Sequence, residues 1–320
     1  MVWFIRRLIV AVILVVLVSF LSFGLATLSP GSPYPWGELN PDISPEVQEM
    51  YREKFHLDEP VYAQYFLLWR DFFEGRLVSL QDEQPVIGKI QRALPATILL
   101  NGLALLLAFG FALPLALLAT RRVGDWRDHG VQLISVILAS VPGFWFGVIL
   151  VAVVAEGLGM PVLGAESYGL TFDSWVGRAL DHWWHLLLPA VVLSTGTLAV
   201  QAQTLRASLS ETLGQNYVRT ALAKGVAPDA VRLRHALRNA LRPWIASIGL
   251  LLPTLLGGSV IIESIFAYPG MGRLAFEAVL ERDYATMVVL NFAIAVLVVA
   301  GTLVSDMLLA LLDPRVRGMG

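Results

Sequence analysis

Six stretches of this 320-residue chain are long and apolar enough to cross a bilayer. They run from Leu8 to Leu28, Leu94 to Thr120, Val131 to Ala155, Leu186 to Arg206, Trp244 to Ala267 and Met287 to Leu312. At about 1.5 Å rise per residue, a helix of roughly 20 residues covers a hydrocarbon core of about 30 Å. The expected fold is therefore an all-α integral membrane protein with six transmembrane helices. Composition agrees: 56% of the residues are hydrophobic and only 15% charged, where soluble domains carry about a quarter. The first run follows Arg6 and Arg7, as a secretory signal would. It is too long for the apolar part of a signal and lacks a convincing cleavage pattern, so it reads as a retained helix.

Orientation follows from the cations, because Lys and Arg resist translocation far more than carboxylates do. The N-terminus, the loop from Arg121 to Gly130, the segment from Arg206 to Pro243 and the C-terminal tail hold most of the 23 cations. The intervening loops hold most of the 25 carboxylates. Alternate loops agree with one another as six spans require, which predicts that both termini are cytoplasmic. The chain then divides into a tail and first span (1–28), an extracytoplasmic segment (29–93), a five-helix core (94–312) and a cytoplasmic tail (313–320).

Within the extracytoplasmic segment, Ser44-Pro45 offers an N-cap and first helical position after a turn-rich stretch beginning at Ser29. A second helix from about Glu59 puts Val61, Tyr65, Leu68, Trp69 and Phe72 on one face. That pattern suits a helix lying in the membrane interface and equally a helix packed on the protein's own outer surface.

The chain offers little chemistry of its own. A net charge of −2 gives no basic field for nucleic acid. The absence of cysteine excludes disulfides, thiolate nucleophiles and Cys-based zinc sites. None of Lys54, Lys89 and Lys224 is followed by Ser or Thr, so there is no phosphate-binding loop, and ATP would have to be hydrolysed on another chain. His182 and His185 lie one helical turn apart, but no third ligand has metal-site spacing, and the flanking Trp183 and Trp184 read as an interfacial belt. Ser194-Thr195 inside the fourth run has neither a nucleophile elbow nor a buried base. No cofactor is expected. Glycines such as Gly147 and prolines such as Pro142 and Pro189 provide close contacts and kinks. Glu263 and Asp306 are the charges deepest within apolar stretches; they are candidates for a pathway or gate, or for hydrogen bonds that tie helix ends together.

The sharpest signal lies between the fourth and fifth runs, in the polar, basic segment at 207–243. The sequence Tyr217-Val-Arg219-Thr-Ala221-Leu-Ala223-Lys224-Gly225 reads as a helix ended by its glycine. Pro228 opens a second helix carrying His235 and Asn239. Ala221, Ala223 and Gly225 let a partner's backbone come close, while the surrounding arginines can pair with acidic residues on it. An ordinary cation-rich loop would share the charge.

These residues resemble the integral membrane permease subunits of ABC importers, specifically the first permease of dipeptide, oligopeptide and nickel systems. Tyr217 to Gly225 and Arg234 to Leu241 look like that family's cytoplasmic coupling loop. The likeness continues through Leu28-Ser-Pro-Gly-Ser-Pro33, Leu57-Asp-Glu-Pro60, Leu94-Pro-Ala-Thr97, Val141-Pro-Gly-Phe-Trp145 and Leu187-Leu-Pro189. It ends with Glu263-Ser-Ile-Phe-Ala-Tyr-Pro-Gly-Met-Gly-Arg273, Arg282-Asp-Tyr284 and Leu312-Asp-Pro-Arg-Val-Arg317. Where the broader importer pattern begins Glu-Ala-Ala and ends Ile-x-Leu-Pro, this chain has Arg219-Thr220-Ala221 and His235-Ala-Leu-Arg238, as is usual in the peptide subfamily. The resemblance implies the type I importer permease fold in a bacterial cytoplasmic membrane. It implies as partners a second homologous permease, ATP-binding subunits and an extracytoplasmic solute-binding protein, with peptides as the preferred substrate and nickel or another small solute as the alternative. An ion-coupled secondary transporter would instead favour inverted repeats around midplane ligands, and neither a repeat nor a central carboxylate pair is visible.

Overall fold

The computed structural model describes residues 2–28, 45–169, 174–242, 244, 245, 247, 251 and 259–312, and within these the side chains of 2–5, 45, 304–306 and 308–312 fall outside the description. Among the described residues there is no strand, only an isolated antiparallel bridge between Val78 and Pro85. The chain divides into two compact units: 1–97 with 269–300, and 98–268 with 301–320.

The first unit begins with α1 (Val2–Leu28), followed by α2 (Pro45–Lys54) and α3 (Val61–Phe73). Helix α1 buries one narrow stripe, Ala11, Val15, Ser19, Phe23 and Ala26, and exposes aliphatic side chains around the rest of its circumference. Spacing of four, four, four and three keeps that stripe on one helical face. A chain this apolar on its exposed side is suited to lipid rather than water. Helix α4 (Val86–Ala119) begins in this unit. Val86, Ile90 and Ala93 there form a core with Met271 of α11 (Met271–Glu281) and Ala285, Val289 and Leu290 of α12 (Tyr284–Leu312).

In the second unit, Leu100, Ala104, Ala108, Ala112, Ala116 and Ala119 form a buried stripe along α4. Small residues at every fourth position allow close helix approach in a membrane, where packing rather than water exclusion drives association. Ala112 and Ala116 meet Ala202, Leu205 and Leu209 of α7 (Trp175–Leu213), together with Ala240 and Trp244. Helix α7 is 39 residues long, about 58 Å at the standard rise, so it extends well beyond the hydrocarbon.

The stretch expected to be one span from Val131 to Ala155 is built from two helices. Helix α5 (Trp126–Ser140) ends, Val141 turns extended, and α6 (Gly143–Val151) leaves at 87° before a wider π turn over Ala152–Gly157. The cause is Pro142: it has no N–H to donate, and its ring drives the preceding residue out of helical conformation. Gly147 lets α6 approach closely, since a Cβ there would lie 3.4 Å from Phe266 and 3.6 Å from Val192.

Beyond α7 come α8 (Asn216–Ala223) and α9 (Pro228–Ala230), the latter continuing through a π turn (Val231–Ala236) into helical residues 237–242. A short helix α10 (Val260–Ile265) closes the unit. Helices α1, α4, α7 and α12 are each long and apolar enough to cross a membrane, and the bent pair α5–α6 adds a fifth candidate. The predicted fifth run, Trp244 to Ala267, lies mostly outside the described residues, as do the turn-rich stretch after Leu28 and Ser44.

Candidate functional site

Segment 207–243 is built by three local rules. Helix α8 ends in a paired cap: Gly225 N–H donates to Leu222 O at 2.9 Å, and Val226 N–H to Ala221 O at 3.2 Å. This closure requires a left-handed residue at its centre, and Gly225 has φ of +83°. Pro228 then supplies the fixed φ of a first helical residue. Val218 and Val231 are buried, one from each arm, as are Ala236 and Ala240.

The two arms are also joined through polar side chains. Asn239 donates from Nδ2 to the Tyr217 hydroxyl at 2.8 Å. Arg232 is anchored twice, to Asp229 at 3.1 Å and from Nη1 to the carbonyl of Leu117 at 3.0 Å. Leu117 lies in the last turn of α4, where the unsatisfied carbonyls favour a cation. Ser208 of α7 donates to Ala240 O at 3.2 Å, tying the second arm to the long helix.

What remains exposed is a compact face. Arg219, Thr220, Leu222, Ala223, Lys224 and Gly225 from the first arm are exposed, and Leu233, Arg234, His235 and Arg238 from the second. Ala221 is half-buried behind them, and Tyr217 is exposed beside its bond to Asn239. Thus the turn and both arms present small residues and cations together, while Val218, Val231 and Ala236 hold them from beneath.

Sequence reasoning missed the strongest link to this segment. Asp128, buried in the first turn of α5, forms a two-point ion pair with Arg206 of α7: Nη2 donates to Oδ2 at 2.8 Å and Nε to Oδ1 at 2.5 Å. Gly124 N–H and Gln132 Nε2 complete the carboxylate's partners at 2.8 and 3.1 Å. Asp125 caps the same helix end by accepting from the N–H groups of Arg127 and Asp128. The Arg206 guanidinium holds the Asp128 carboxyl well below the usual carboxylate range, outweighing burial. A second Asp beyond the capping Asp125 in the cationic 121–130 loop was the available signal, but its partner is 78 residues away and no local rule pairs them.

Glu263 is fully buried in α10 and accepts from Ser259 Oγ at 2.8 Å, with Asn101 Nδ2 at 3.5 Å from the same hydroxyl. Its backbone carbonyl accepts from Tyr268 N–H at 2.8 Å. Glu263 therefore sits in a polar knot where α10 ends, while the side chain of Asp306 lies outside the described residues. The two histidines go separate ways: His182 Nδ1 meets Ala165 O at 3.1 Å, and His185 Nδ1 meets Asp181 O at 2.9 Å. Ser194 and Thr195 spend their hydroxyls on the carbonyls of Val191 and Val192.

A second charged cluster belongs to the first unit. Asp283 accepts from Ser79 at 2.6 Å and from the backbone of Thr286 at 3.2 Å, and pairs with Lys89, which also reaches Asp82 at 2.8 Å. Burial raises the Asp82 carboxyl, yet bonds from Lys89, the Gln84 backbone and Ser79 bring it net below its ordinary value. Asp82, Lys89 and Asp283, together with Arg92, Arg273 and Glu277, line a cleft of about 490 Å³ that carries both signs of charge.

The sequence is similar to known transport proteins over nearly its whole length. Residues 112–318 match the family described as the binding-protein-dependent transport system inner membrane component. The oligopeptide transport system permease protein AppB of Bacillus subtilis is 35% identical over 98% of this chain and 99% of its own length. The di/tripeptide transport system permease protein DppB of Pseudomonas aeruginosa is 36% identical over 94% of both chains. The dipeptide transport system permease protein DppB of Escherichia coli is 31% identical, again over 94% of both.

Proposed function

The chain belongs to the binding-protein-dependent transport system inner membrane component family, and on that premise we propose that it forms one half of the pore of an ATP-driven importer of di- and oligopeptides. The observation that carries this reading is the near full-length likeness to permeases named for oligopeptide, di/tripeptide and dipeptide transport. Its partners are a second homologous permease, ATP-binding subunits and an extracytoplasmic solute-binding protein. The chain is a non-catalytic subunit, multi-pass in the cytoplasmic membrane, with six spans and both termini in the cytoplasm.

The exposed face around Gly225 is the coupling surface. ATP-driven closure of the nucleotide-binding subunits would push on Tyr217, Arg219, Ala221, Ala223, Lys224 and Gly225, and on His235 and Asn239 of the second arm. The bonds from Asn239 to Tyr217 and from Ser208 to Ala240 make the two arms move together with α7. Movement of α7 then shifts the bundle between two packed arrangements, one open to each side. Glu263 holds the start of α10 through the hydroxyl of its N-cap residue Ser259, which also lies 3.5 Å from Asn101 of α4.

Affinity purification of the wild-type chain and of Gly225→Arg tests this. The wild type should bring the second permease and the ATPases, and Gly225→Arg should keep the permease but lose the ATPases. Recovery of the chain alone, or only as a homo-oligomer that still transports, would overturn the proposal.

A further inference from the structure

Helix α3 has three faces rather than two. Leu68 and Trp69 pack on Phe23, Ala26 and Val288, and Leu68 and Phe72 also pack against the core around Val86 and Val289. Gln64 and Asp71 form a polar face: Gln64 donates to the carbonyls of Leu57 and Glu59, and Asp71 pairs with His56, Arg70 and Arg76. The third face is Tyr62, Phe66 and Phe73, at spacings of four and seven, which are 72%, 69% and 75% exposed. Three aromatic residues aligned on one strip are not scattered surface apolarity.

The depth of this strip can be read from two neighbouring helices. The Tyr65 hydroxyl meets Ser19 Oγ at 3.0 Å, and the Tyr65 ring stands edge-on to Phe20 and Phe23 at centroid separations of 5.7 and 5.4 Å. Ser19 is nine residues before Leu28, so it lies about 13 Å below the end of the apolar run and about 16 Å above its start at Leu8. On the other side, the Trp69 ring lies 4.5 Å from Phe292, which is five residues, or about 8 Å, inside the apolar run that starts at Met287. A helix resting on the headgroups would touch only the ends of α1 and α12. This one touches both inside their apolar lengths. The strip is also continuous with the lipid-suited side of α1: Phe66 packs at 5.6 Å against Tyr65, which in turn packs against Phe20, itself 58% exposed.

We infer that the Tyr62, Phe66 and Phe73 face of α3 is bedded among lipid acyl chains, in the leaflet nearer Leu28, as a half-inserted helix that does not span. The inference rests on α1 spanning the membrane, part of the proposal above. The polar face carrying Gln64 and Asp71 then points to the water side, where its ion pairs are hydrated. Arg70, beside the strip, reaches back to Asp71 at 3.2 Å instead of projecting into hydrocarbon.

Because the chain has no cysteine, single cysteines can be spin-labelled without removing any native thiol. Phe66→Cys and Phe73→Cys, with Leu21→Cys as the spanning-helix reference and Asp58→Cys as the aqueous one, would be purified with their partners. They would then be reconstituted in phosphatidylethanolamine–phosphatidylglycerol vesicles. Collision with oxygen, which concentrates in acyl chains, is compared with collision with a water-soluble nickel chelate. The labels at 66 and 73 should match Leu21, oxygen dominating. Nickel dominance at 66 and 73 while Leu21 reports lipid would overturn the inference alone. Protection from both reagents would overturn it in favour of a covering protein chain. Nickel dominance at Leu21 itself would mean that α1 does not span, and the proposed topology would fall with the inference.

Discussion

Gly225 and Asp128 show how much of this protein's working geometry rests on single residues. At φ of +83° a Cβ is disfavoured whatever the space around it, and the penalty for L-residues in that conformation is about 1–2 kcal/mol. Gly225→Ala should therefore loosen the end of α8 without steric conflict, lowering ATPase co-purification less than Gly225→Arg, which adds bulk and charge to the docking face. Quantified recovery of the ATPase subunits with each variant checks the order. Asp128→Ala removes one partner of a pair in which the carboxylate is buried, leaving Arg206 uncompensated. Breaking such a pair costs about 3–5 kcal/mol. A clear fall in the melting temperature of the purified complex is expected, and the exchange Asp128→Arg with Arg206→Asp should recover part of it. Because the Asp128 carboxyl is held below its ordinary value, its contribution is complete above the unfolded pKa of about 3.9 and is lost only as pH falls toward the lowered folded value. The destabilisation by Asp128→Ala should accordingly be the same at pH 6 and pH 8, and a difference between them would show that another group titrates with the pair.

Among the elements, those governed by local rules were legible in the sequence and those governed by distant contacts were not. Gly225 and Pro228 announced the end of α8 and the start of α9, because a left-handed cap and a fixed φ depend on one residue each. The apolar runs announced α1, α4, α7 and α12, since lipid demands length and apolarity above all. The sharp break between α5 and α6 was harder to see: Pro142 can kink a helix or end it, and the 87° turn also requires Val141 to turn extended and Gly147 to pack against Val192. The alanine stripe of α4 escaped notice because alanine is apolar on any face, and only its neighbours reveal that every fourth one is buried. Helix α3 left two placements open, interface or protein surface, and its packing against Phe23 and Val288 answers for one face only. These arguments lead to a prediction for α6. Gly147→Leu would force side-chain atoms against Phe266 and Val192, and overpacking of this kind costs about 1–3 kcal/mol. The variant should melt at a lower temperature than the wild type, whereas Gly130→Leu, with open space at its Cβ, should not.

At the scale of the whole molecule, no described region of the chain carries a phosphate-binding loop, and the segment best suited to receive force is an exposed cationic turn fastened to a helix about 58 Å long. A subunit built this way works by being moved. In the proposed assembly the partners supply both the energy and the selection of solute, so the identity of the peptide is not written in the apolar runs of this chain. The family membership and the full-length peptide-permease relatives place the function in transport, and the proposed coupling role rests on the exposed turn at Gly225. The most direct test is uptake of a labelled tripeptide into vesicles containing this chain, the second permease, the ATPases and the binding protein, with each component omitted in turn. The account predicts accumulation that requires ATP and every component, and that is abolished by Gly225→Arg even when ATPases are supplied in excess. Uptake by this chain without the ATPases, driven by an ion gradient and indifferent to ATP, would contradict it.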